Sequence, residues 1–354
     1  MKSLLSAVTK ILVLAALVLV ASFVALAQSP RHLQPNEHVT NLAGATTIEA
    51  PPTGFDPIAA SDEDLAYHGF PPRPNQVEQP KAYATWAKAM SHSKHRMVPS
   101  LEQTGIFHGP ANVQKNAPTA AQSNAAGRMP APSNTLYSSN WSGYVDFSGA
   151  SSYGSSSYYY IVNDMIVPVA EQAFGACTGG WDWGSEWNGI DGWGSGDVLQ
   201  AGVEFDAYCS GTTRSSYYSA WYEWYPYGEV RISSLPVAPG DEVFVEVWHT
   251  SSTQGYAYLV NYTTNQSVEV GFTAYPGYPL VGNSAEWVVE RPTVGGSVAT
   301  LTNYTAIPFF DAYAYTESSS FYDIANGNPT DMESGSTVIS YPEYLGPEAF
   351  VAHY

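Results

Sequence analysis

From about Leu136 onward, apolar and polar residues alternate in short runs. NWSGYVDF, YYYIVNDMIVP, DVLQAGVEF, YSAWYEWYP, DEVFVEVWHT, GYAYLVNYTT, QSVEVGFTA, AEWVVERP and STVISYPEYL follow one another, punctuated by Gly, Ser, Asn and Pro. A two-residue repeat places successive side chains on opposite faces of a strand, and the punctuating residues form turns. No stretch of this region keeps a helical repeat. The pattern predicts an all-β domain over 134–354: two antiparallel sheets packed as a β-sandwich, lectin-like or of the jelly-roll type. A domain of that length can bury a sizeable core. One run departs from the expected polarity. In SAEWVVE, Glu286, Val288 and Glu290 share a face, and no Lys or Arg stands between the two acids.

The first 133 residues have a different texture. MKSLLSAVTK carries Lys2 and Lys10, an apolar run fills 11–27, and Ala25-Leu26-Ala27 ends it. That is the layout of a cleaved signal peptide over 1–27; the run is near the lower limit for a membrane anchor. Residues 28–133 are rich in Pro, Ala, His and Gln, with one helical patch around Gln79–Met90. The segment reads as a poorly structured propeptide rather than a stalk.

Charge sharpens this division. Residues 1–133 hold 8 acids and 10 bases, about +2; residues 134–354 hold 24 acids and only Arg214, Arg231 and Arg291, or −21, which sums to −19. A domain of −21 repels nucleic-acid backbones. It also suits an acidic medium, where its carboxylates are neutral and few cations remain to repel one another. The expected location is therefore extracellular and acidic, and the cationic 28–133 segment is expected to cover the anionic domain. Export implies oxidising surroundings, so Cys177 and Cys209 are expected to pair.

The β domain offers little conventional chemistry. Only His249 and His353 lie in it, GxSxG is absent, and so are CxxC and HExxH. A nucleophilic triad and a metal site are both disfavoured, and no cofactor is expected. Carboxylates, amides and aromatics remain. Gln200, Gly202 and Glu204 share one strand face, Trp221, Glu223 and Tyr225 another, and Glu286, Val288 and Glu290 a third.

Four ordered motifs carry a family resemblance. NWSGYV (140–145), WNGIDG (187–192) with LQAGV (199–203), AWYEWYP (220–226) and AEWVVE (285–290) resemble those of the glutamic peptidases, or eqolisins. The resemblance covers roughly 140–292. It implies a secreted acid endopeptidase made as a preproprotein, insensitive to pepstatin, with Gln200 and Glu290 as a catalytic dyad. Trp187, Asp191, Trp221, Glu223, Tyr225 and Glu286 would line or support the site. Ser219 stands where the family commonly has Asp.

Peptide hydrolysis needs a base for water, a donor for the oxyanion and an acid for the leaving amine. Glu290 can serve as base and acid, and the Gln200 amide as donor. Work in acid requires an ionised Glu290, so its pKa is expected to be lowered by hydrogen bonds. The expected partners are protein or peptide substrates and the chain's own propeptide as inhibitor, with no nucleic acid and no stable membrane association, in a monomer. The rival reading is a carbohydrate-active sandwich, hydrolase or lectin, in which aromatics stack on sugar and Glu223 and Glu290 are the acid pair. A non-catalytic adhesin is the third.

Overall fold

The computed structural model describes residues 36–114, 134–172, 177 and 179–354. The signal peptide expected over 1–27 and the 115–133 stretch lie outside the described residues. The described chain is almost entirely β, as the alternation predicts. Among the described residues, no helix is long and apolar enough to cross a membrane.

Two large antiparallel sheets share one core. The first runs in the order Asn328–Ser334, Trp141–Phe147, Ser284–Glu290, Ser185–Ile190, Val198–Ser210, Thr213–Tyr225 and Val230–Ile232. The second runs Gln266–Thr273, Gln254–Asn261, Glu242–Ser251, Tyr158–Ile166, Ile307–Thr316 and Ala349–His353. The strand Thr337–Gly346 pairs into both. Alternate residues meet between the sheets. Leu199, Ala201, Val203, Ala220, Tyr222, Trp287 and Val289 of the first pack with Val243, Val245, Val247, Ala257 and Leu259 of the second. The other face of the first sheet is therefore free to carry chemistry. Cys177 and Cys209 are joined, a crosslink worth about 3–4 kcal/mol in the chain-entropy account.

The reading of 28–133 as poorly structured needs correction over 36–114. That segment holds five short strands and two helices, Asp62–Tyr67 and Pro80–His92. The second helix begins at Pro80, whose fixed φ suits a first turn, and covers the patch expected at 79–90. It buries Ala82, Trp86, Ala89 and Met90, one stripe at helical spacing. These meet Tyr160, Phe244, Trp248, Tyr256, Tyr258, Tyr313 and Tyr315 on the outer face of the second sheet. The segment lacks enough apolar residues for a core of its own; the domain's aromatic face completes one.

Charge complementarity holds at this contact. Lys88 Nζ lies 2.6 Å from Asp164 Oδ2 and 2.9 Å from Glu242 Oε1, and Lys81 pairs with Glu348. The segment also extends both sheets. Leu101–Gln103 adds a strand beside Val230–Ile232, and His95–Met97 pairs with Gln266–Thr273. Beyond Gln103 the chain turns onto the outward face of the first sheet.

Candidate active site

Strand register sets the site. Three rows run across the outward face of the first sheet. Glu290, Ser185, Glu204 and Ser219 are successive cross-strand partners in one; Val288, Trp187, Gly202 and Trp221 in the next; Glu286, Gly189, Gln200 and Glu223 in the third. Side chains one row apart are two residues apart along each strand, hence on one face. The question posed by SAEWVVE is answered by this arrangement: its two acids belong to the outward face, while Ala285, Trp287 and Val289 enter the core.

Two indoles wall the middle row, with Gly202 between them. A Cβ there would lie 2.1 Å from the Glu186 carbonyl oxygen and 2.5 Å from Trp187 Cβ, so only glycine fits. Trp141, Trp187, Val198, Trp221 and Val288 form a small apolar cluster, with Tyr225 and Ala111 packed against it.

Glu290 is held by two donors. Trp187 Nε1–H donates to Oε2 at 3.0 Å, and Asn140 Nδ2–H donates to Oε1 at 3.3 Å. The pKa expectation requires correction. Burial pushes the Glu290 carboxyl above its ordinary value, and the bonds from His108, Asn140 and Trp187 only partly offset this. Full burial has a tertiary cause: the 105–113 segment lies over the site.

That segment threads the cleft. Ile106–Phe107 pairs with Thr293–Val294. The backbone N–H of His108 donates to Glu223 Oε2 at 2.8 Å, and its carbonyl oxygen accepts from Gln200 Nε2 at 2.6 Å. The Ala111 N–H donates to the Gly192 carbonyl at 3.0 Å, and Asn140 Nδ2 donates to the Pro110 carbonyl at 3.2 Å. The His108 ring stacks on Trp221, centroids 3.8 Å apart and planes at 14°. Its Nε2 lies 2.8 Å from Glu204 Oε1 and 3.2 Å from Glu229 Oε2; its Nδ1 lies 3.2 Å from Ser185 Oγ and 3.6 Å from Glu290 Oε2.

The remaining expected residues take supporting places. Glu223 accepts a second bond from the Gly228 N–H, and burial raises its pKa to about 8. Asp191, at φ 69°, accepts the N–H groups of Val281, Gly282 and Asn283 at 2.7–2.9 Å, fixing that loop. Tyr225 packs beside Gly109. Glu286 is fully buried, and its carboxyl is pushed well above its ordinary value, chiefly by burial and further by the neighbouring acids Asp191, Asp197 and Asp146. Ser219 pairs across from Glu204; burial raises Glu204 to about 7, and the carboxyl of Asp206, itself pushed well up by burial, hydrogen-bonds it.

His108, Glu204 and Glu229 bring one ligand atom each within 4.8 Å of one another, the geometry of a possible metal triad. Here the imidazole of His108 stands between the two carboxylates as their shared partner. Sequence reasoning left His108, Glu229, Ser185 and Asn140 without roles in the site and gave Glu204 no role beyond its strand face. The spacing of Gln200 and Glu204 was the one local signal available for them.

The chain is similar to known proteins over its β domain. Residues 139–354 match the Peptidase A4 family, so the match continues past the point near 293 where the motif resemblance thins. The chain is 30% identical over 239 residues to aspergillopepsin-2 of Aspergillus niger, covering 62% of this chain and 79% of that protein. It is 37% identical over 110 residues to scytalidopepsin B of Scytalidium lignicola, covering 30% of this chain and 39% of that protein. A scytalido-glutamic peptidase solved with a transition state analog inhibitor superposes with a TM-score of 0.51 at 25% identity, over 61% of this chain and 98% of that one.

Proposed function

The chain belongs to the Peptidase A4 family, and from that premise we propose that it is a secreted, acid-acting endopeptidase whose Gln200 and Glu290 form the catalytic dyad. The observation that carries the dyad is the contact between Gln200 Nε2 and the His108 carbonyl oxygen, 2.6 Å. A peptide carbonyl is already seated on the amide that would stabilise the oxyanion.

In the proposed reaction, Glu290 takes a proton from water as that water attacks the carbonyl carbon. The Gln200 amide donates to the oxygen as it becomes negative. Glu290 then returns its proton to the leaving amine nitrogen, with no covalent intermediate and no metal. For this Glu290 must be ionised. Once the 105–113 segment leaves, the cleft admits water and the burial penalty on the carboxylate falls, while the Trp187 and Asn140 donors remain. Its pKa then falls, which favours the ionised base in the acid working range of about pH 2–4.

Residues 36–114 act in this reading as the intramolecular inhibitor, held by the lysine pairs at Asp164, Glu242 and Glu348. Protein and peptide substrates are the partners. The enzyme works as an extracellular monomer and resists pepstatin. The sugar-acting alternative would make Glu223 the second acid and leave the contact of Gln200 with a peptide carbonyl incidental.

The test is hydrolysis of a denatured protein across pH 2–8 by the acid-treated chain, beside Gln200→Ala and Glu290→Gln. Acid activity lost in both variants is expected. Activity surviving both would dismiss the dyad, and no proteolysis at any pH would dismiss the peptidase.

A further inference from the structure

The His108 imidazole fills a closed chamber whose walls come from five places in the sequence. Trp221 covers one ring face. Glu204 and Glu229 meet Nε2, while Ser185 and Glu290 flank Nδ1. His108 itself, Glu204, Glu229 and Ser185 are all fully buried. We propose that this chamber is a binding site for protonated imidazole, and that His108 occupies it in the uncut chain as the bolt that keeps substrate and water from the dyad.

The chemistry selects that ligand over others. A flat cation gains from the indole face and from charge-assisted bonds to two carboxylates. A phenyl ring of similar size would stack but leave Glu204 and Glu229 buried without a counter-charge, which is costly. An ammonium would pair but could not stack. The ring also stands 3.6 Å from Glu290 Oε2, too close for a water to lie between them. The bolt therefore blocks the attacking water as well as the substrate.

The same chamber gives the bolt a pH window. The titratable groups facing the ring are acids: Glu204 and its neighbour Asp206 on Val198–Ser210, Glu223 on Thr213–Tyr225, Glu229 beyond that strand, and Glu290 on Ser284–Glu290. Its acidic partners hold the His108 pKa well above its ordinary value despite burial. That contribution is complete at low pH and is lost as pH rises through the raised value. The carboxylates work in the same sense. Burial raises Glu204 to about 7 in the closed chamber and raises Glu223 and Glu290 there as well, so the closed state holds their protons more tightly than an open one. The bolt therefore holds in acid and is weakened as pH rises.

The bolt half of the proposal rests on the peptidase reading; the affinity for imidazolium does not. The experiment uses the full chain with His108→Ala, which empties the chamber. At about pH 4, on first exposure to acid, this variant is expected to hydrolyse a peptide substrate without the lag that the wild type shows. Excess imidazole is expected to bind it one-to-one by calorimetry and to suppress its activity. Adding Glu204→Gln should weaken imidazole binding at least tenfold. A His108→Ala chain as latent as wild type, or one that binds no imidazole, overturns the proposal. Should His108→Ala fail to fold, His108→Phe fills the same space without the charge and must lose latency for the proposal to stand. Imidazole binding in a chain that never shows proteolysis would leave the chamber in place and dismiss the peptidase reading alone.

Discussion

The Trp187 indole N–H donates to Glu290 Oε2 at 3.0 Å, so a ring that walls the cleft also orients the carboxylate proposed as base. The bond favours the charged carboxylate. Trp187→Phe keeps the ring and removes the donor. A hydrogen bond to a charged group contributes about 1.5–3 kcal/mol, or about one to two pKa units. The acid limb of the kcat/KM profile of the activated variant should move to higher pH by about that amount. An unmoved limb would mean that Glu290 does not govern it.

Gln200 makes its case through kcat. In the proposed mechanism its amide donates to an oxygen that becomes negative only in the transition state, so removing it should leave ground-state binding largely intact. Gln200→Ala should lower kcat by about 10²–10³-fold with little change in KM, the scale of losing one oxyanion donor. A change confined to KM would assign Gln200 to substrate binding instead.

These predictions depend on positions that the sequence showed unevenly. The row Gln200, Gly202, Glu204 was legible because strand alternation is a local property. The shared face of Glu286 and Glu290 was legible for the same reason. The folding of 36–114 was not, because Trp86 and Met90 find their partners on strands far along the chain. His108 had no local signature in a Pro-rich segment. The direction of the Glu290 pKa was not legible, because burial under residues 105–113, which outweighs its hydrogen-bond donors, depends on a distant segment.

Gly202 separates the two indoles, and its substitution tests whether that spacing is rigid. The Cβ of Gly202→Ala would meet backbone at 2.1 Å, which a strand paired on both sides cannot relieve locally. The cost should be about 3 kcal/mol or more, at or above the upper end of ordinary overpacking. Gly346→Ala, where a Cβ meets nothing within 4 Å, is the control and should stay within about 1 kcal/mol. Denaturant midpoints read both. Equal midpoints would show that the sheet yields at Gly202.

Asp191 is a structural anchor with a measurable price. Its carboxylate accepts three backbone N–H groups from residues 281–283. In Asp191→Asn one oxygen becomes an NH₂ that faces donors. At least one buried N–H then loses its acceptor, a loss of about 1–3 kcal/mol for each such group. The loop leads directly into Ser284–Glu290, so the variant should lose both stability and kcat. A fall in stability with normal kcat would confine Asp191 to the fold.

Buried acids give the protein an inverted pH profile of stability. Burial raises Asp146, Asp197 and Glu223 to about 8, Glu269 to about 7 and Asp164 to about 6. In the unfolded chain such groups titrate near 4. Between these limits the native state holds more protons than the unfolded state, so stability falls as pH rises. Their contribution is complete below about pH 4 and is lost as pH climbs through 6 to 8. Falling net negative charge in acid acts in the same direction. The melting temperature of the full chain carrying Gln200→Ala, which should not cut itself, should therefore be higher at pH 5 than at pH 8. Asp146→Asn, neutral at every pH, should reduce that difference. A melting temperature that falls on acidification would show that the lysine pairs at Asp164 and Glu242, rather than the buried neutral acids, dominate the pH dependence.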